Sequence, residues 1–169
     1  SGNISSDGGE VTIRTDKLIL ANELETSGSL SLKENGRLNL RVGELGLGFG
    51  DVVLSGFSTL DVIAERGIVG KDTGTVSVVY SGPLSVKPAN TLSEEDKNSL
   101  LAKKVGININ LHTPILSAET ATNISLHTTG KVTIDKVGSG IAKVETGTGG
   151  KLSINAASIF VNNVAVLTS

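Results

Sequence analysis

Apolar and polar residues alternate with a period of two along most of the chain, as at Val11/Ile13, Leu18/Leu20, Leu30/Leu32, Leu38/Leu40, Val76/Val78, Leu84/Val86, Ile124/Leu126, Val132/Ile134 and Leu152/Ile154. Successive side chains of a strand point to opposite faces, so each run predicts a strand with one buried face. The runs come in pairs separated by four or five residues, as in VTIRTDKLIL, LSLKENGRLNL, VSVVYSGPLSV, ISLHTTGKVTI and LSINAASIFV. Their starts at Val11, Leu30, Val52, Val76, Ile107, Ile124 and Leu152 lie 17 to 31 residues apart. This is an internal repeat.

A sandwich of hairpins would use Asn-Gly or Asp-Gly turns repeatedly, yet only Asp7-Gly8 and Asn35-Gly36 occur. A parallel solenoid turns a corner every few residues and stacks each coil on the last. The expected fold is therefore all-β, a right-handed parallel β-helix of about six to seven coils, with residues 1–169 forming one solenoid segment. At the ladder spacing of about 4.8 Å such a rod is roughly 30 to 35 Å long. One stretch departs from the pattern. Residues 91–104 place Glu94, Glu95 and Asp96 first and Lys103-Lys104 last, with Ser93 and Asp96 as a variant capping box, and predict a short helical insertion.

Composition narrows the core. The chain has no Cys, Met or Trp, and its aromatics are Phe49, Phe57, Tyr80 and Phe160, so Leu, Ile, Val and Ala must fill the interior. Fifteen basic and seventeen acidic side chains leave a net charge of −2 with one adjacent basic pair, which disfavours nucleic acid as a partner. No apolar run approaches the roughly 18 residues of a membrane span, so membrane insertion by a helix is not expected.

Candidate chemistry is sparse. His112 and His127 occupy a local duplication, NINLHT and NISLHT, in which the flanking Ile and Leu face inward and the imidazoles outward. Stacked on neighbouring coils they would meet, but a metal site needs further ligands, and Glu119 and Asp135 lack ligand spacing. Asp61 and Glu65 could share an outward face, whereas a polysaccharide-cleaving solenoid clusters its carboxylates in acid/base pairs. Gly46, Gly48 and Gly50 form G-x-G-x-G without the following helix of a nucleotide site. No catalytic residue, cofactor or metal is expected; His112, His127, Asp61 and Glu65 stand as weak surface-binding candidates.

The stretch LGLGFGDVVLSGFSTLDVIAERGIVG from Leu45 to Gly70, followed by GTVSV from Gly74 and GPLSV from Gly82, resembles the distal repeat region of the filamentous haemagglutinin family. The similarity is best over 45–87. The resemblance implies a secreted or surface-held bacterial β-helical rod, exported through an outer-membrane transporter. It also implies a part in cell adhesion, biofilm cohesion or host attachment through surface glycans or proteins. The family's secretion motif, built on Asn-Pro, has no counterpart here. The expected function is a non-enzymatic adhesive rod; a polysaccharide-degrading or polysaccharide-binding module and a trimeric phage-type fibre are the alternatives.

Overall fold

The computed structural model describes residues 9–22, 36–55, 57–79, 107–137, 149–162 and 166–167. The expected helix at 91–104 lies outside them, as do the Leu30/Leu32 and Leu84/Val86 runs.

Among the described residues twelve strands follow one another: β1 (Glu10–Leu20), β2 (Gly36–Leu47), β3 (Gly50–Ser55), β4 (Phe57–Gly70), β5 (Thr73–Val79), β6 (Asn108–His112), β7 (Ile115–Ala118), β8 (Asn123–Thr128), β9 (Lys131–Asp135), β10 (Lys151–Asn155), β11 (Ser158–Asn162) and β12 (Val166–Leu167). No helix occurs among the described residues. All pairings between them are parallel. One sheet runs β1-β2-β4-β6-β9-β11, with β7 joining β4 to β12, and a second runs β10-β8-β5-β3. Parallel neighbours cannot be hairpins, so the chain coils, and the architecture is that of a β-solenoid. The six strands of the first path span five ladder steps, about 24 Å between the outermost strands at about 4.8 Å each.

The sequence alternation becomes columns of aliphatic side chains. Val11, Leu38, Leu60, Ile109, Val132 and Ile159 stand in direct register, as do Ile13, Leu40, Val62, Leu111, Ile134 and Val161. In the second sheet Val52, Val76, Leu126 and Ile154 form a third column. The middle coils are closed to solvent: Leu38, Leu40, Ile109 and Val132 are all 0% exposed. At the β11 end, Ile159 and Val161 are about half exposed although their partners Val132 and Ile134 are buried. Among the described aromatics only Phe57 joins the core.

Each long strand bends across two faces. In β4 the bend holds one extra residue: Val42 pairs with Ala64 and Glu44 with Gly67, leaving Glu65 and Arg66 opposite Gly43. Such a bulge bends its strand. One coil further on, the same bend is a break between β6 and β7 at Thr113-Pro114, where proline lacks the N–H a continuing ladder would use. Thr113 closes this corner by donating its hydroxyl to the Ile115 carbonyl at 2.8 Å while its N–H bonds Asp135 O at 2.9 Å. Corners between the sheets also bond coil to coil, with Gly48 N–H to Leu20 O, Lys71 N–H to Leu47 O and Glu119 N–H to Gly70 O, each 2.8 Å. Gly50 takes φ +78° at one such corner, a conformation glycine adopts readily. Its register partner Gly74 lies so close that a Cβ there would strike the Gly50 carbonyl oxygen.

Candidate functional site

Inward alternation fixes what the outer face of the first sheet carries. Three outward columns follow from the register. The central one reads Thr12, Asn39, Asp61, Asn110, Thr133 and Phe160, and the next reads Arg14, Arg41, Ile63, His112, Asp135 and Asn162. The third begins Glu10, Arg37, Thr59 and Asn108.

Most polar groups here bond to one another. Asn39 Nδ2 donates to Glu10 Oε1 at 2.6 Å and to Thr12 Oγ1 at 3.3 Å, and Asn110 Nδ2 donates to Asp61 Oδ1. Arg37 Nε stands 4.0 Å from the other Asp61 oxygen. Asp61 thus links three coils, through one hydrogen bond and one long ion pair. His112, half-buried, brings Nδ1 within 3.6 Å of Asp135 Oδ2 on the next coil. Lys131 Nζ lies 4.5 Å from the Phe160 ring centre, a cation–π contact at the β11 end.

A second set of charges lines the bend. Lys71 Nζ bonds Glu119 Oε1 at 2.6 Å and stands 3.2 Å from Glu44 Oε1, which in turn lies 3.8 Å from Lys17. The Glu44 contact has the distance of an ion pair without hydrogen-bond alignment, so that oxygen is left without a donor. Burial works against the Lys71 charge, but the Glu119 hydrogen bond and the charges of Glu44 and Glu119 prevail and hold the ammonium above the usual lysine range. Arg66, carried outward by the bulge, lies across Gly43, where a Cβ would approach its guanidinium to 2.5 Å. It reaches Asp16 on β1, donating to the carboxylate at 2.7 Å and to the Asp16 carbonyl at 3.2 Å. That hydrogen bond, reinforced by the arginine charge, keeps the Asp16 carboxyl below the ordinary carboxylate range.

The two histidines do not meet. His112 is on β6 of the first sheet and His127 on β8 of the second, where its register neighbours are Ser77 and Asn155. They belong to one coil, and the duplication around them reflects two faces with the same inward rule: Ile109, Leu111, Ile124 and Leu126 are all buried. Asp61 and Glu65 lie four residues apart on β4, with Asp61 engaged by Asn110 and Arg37 and Glu65 in the bulge. Among the described residues no three His, Asp or Glu side chains converge as a metal-ligand set.

The juxtaposition that sequence reasoning missed is Arg14 beside Arg41. Both are exposed, in direct register on β1 and β2, and border an outer groove of about 430 Å³ at the bend. The signal was present as a repeated apolar-polar-apolar-Arg, VTIR at 11–14 and LNLR at 38–41. No protein-family model, curated protein sequence or solved structure matches the chain.

Proposed function

We propose that the chain is a non-enzymatic rod segment of a secreted or surface-held bacterial adhesin, a right-handed β-helix with a helical insertion at 91–104. The parent would reach the surface through an outer-membrane transporter. The observation that supports this reading is the unbroken register of two aliphatic columns through six coils. In such a stack each coil touches only its neighbours, so repetition lengthens the rod without changing its section, which suits a spacer holding contacts away from a surface. The engagement of Asp61 by Asn110 and Arg37 is in keeping with a structural ladder.

Beads coated with the chain, compared with beads coated with serum albumin, are presented to bacterial and epithelial cell layers under flow. Retention above the albumin level is expected, with no release of reducing ends from a polysaccharide panel. Retention equal to albumin on every layer, or sugar release abolished by Asp61→Asn or Glu65→Gln, would overturn the proposal.

A further inference from the structure

Two of the four arginines are matched by carboxylates, Arg37 by Asp61 and Arg66 by Asp16. Arg14 and Arg41 have no hydrogen bond or ion pair among the described residues. Their strands are about 4.8 Å apart, and like charges directly opposite each other in a sheet are unfavourable. Elsewhere this outer surface answers charge with its opposite or with an amide, as in Glu10 with Asn39, Asp61 with Asn110 and Asp135 with His112. The arginine column instead continues to Ile63, which offers no charge.

The carboxylates bordering the groove are Asp16 and Glu65. Asp16 is taken by Arg66, and the Glu65 charge is also felt at Arg66. Thr15 and Gly43 line the groove beside the guanidinium groups, and Ile63 gives it an apolar wall. The geometry points to an oxyanion clamp: Arg14 and Arg41 together bind a sulfate or phosphate group carried on an organic ring, with the ring against Ile63. A guanidinium presents planar N–H forks that match such oxygens, and the negative charge of either group relieves the repulsion of the pair. A nucleic-acid strand fits less well, because the column runs on as Ile63, His112 and Asp135 without an extended basic stripe.

The test is a low-salt NMR titration of the ¹⁵N-labelled full chain, following arginine Nε–H signals, with inorganic sulfate, inorganic phosphate, glucose 6-sulfate and glucose 6-phosphate. Arg14 and Arg41 signals are expected to shift together and saturate, with either sugar ester binding more tightly than its inorganic ion. The tighter ester then identifies the group. Arg41→Gln should weaken binding about tenfold, Glu65→Gln should strengthen it about twofold, and Arg37→Gln should leave it unchanged. All three positions are exposed or at the surface, and unchanged far-UV circular dichroism confirms that each variant folds. Shifts that never saturate, equal shifts at Arg37, or Arg41→Gln binding like the parent would overturn the clamp.

Discussion

Leu40 tests whether the columns carry the fold. It is 0% exposed, stands between Ile13 and Val62, and borders a small internal void of about 20 Å³. Leu40→Ala removes three carbons, about 2.4 kcal/mol of transfer free energy at about 0.8 kcal/mol each. The vacated space lies between two fixed coils and next to an existing void, so it collapses poorly and adds about 1.5 kcal/mol. The sum of about 4 kcal/mol predicts a fall in melting temperature of about 8 to 16 °C. Ile159→Ala is the internal control: the same kind of truncation at 46% exposure encloses no cavity and should cost about 1 kcal/mol. Thermal melts followed by circular dichroism, with urea midpoints as a second measure, compare the two variants. If Leu40→Ala and Ile159→Ala agree within 1 kcal/mol, register stacking is not what stabilises the rod.

Gly74→Ala should destabilise more than its one added methyl suggests, because the Gly50 carbonyl would have to move; a melting-temperature loss below about 2 °C would contradict that contact. Lys71 has a folded pKa above its ordinary 10.5, so its contribution is complete below that value and is lost as pH rises through the higher folded one. Stability should therefore decline in the alkaline range, and Lys71→Met should flatten that limb in urea titrations at stepped pH; parallel limbs would refute it. Asp16 works in the opposite direction: its lowered pKa gives a contribution present above the ordinary carboxylate range and lost as pH falls through the folded value. Asp16→Asn should reduce the acid-side loss measured in the same series. Arg41→Gln removes a like-charge neighbour from Arg14 and should raise the melting temperature by about 1 to 2 °C at low salt, an advantage that fades near 1 M NaCl.

The period-two runs were enough to read the strands and the coil, because burying one face of every strand leaves its mark on every second residue. Val52, Val76 and Leu152 open apolar runs that do lie in strands β3, β5 and β10, yet Val76 registers with Leu126 rather than Ile124. Register depends on corner geometry, and corners leave a weaker imprint than the strand interior. The same limit applied at the site. Residues Val11 to Arg14 and Leu38 to Arg41 follow one local rule, but only the pairing of β1 with β2 brings their arginines together across 27 positions. Conversely, the similar sequences around His112 and His127 suggested proximity, while the coil sends them to different sheets. Local likeness reports which way a side chain points; adjacency depends on how many corners intervene.

The ladder bonds between coils point along the rod, the direction in which tension between its two ends would act. Pulling therefore loads them end-on and peels the stack one turn at a time, unlike a sheet sheared along its strands. Leu38 and its partner Leu60 are 22 residues apart, so freeing one turn replaces a step of about 4.8 Å with as much as about 75 Å of slack chain. A stack built this way yields in stages, dissipating a tug before the remaining coils give way.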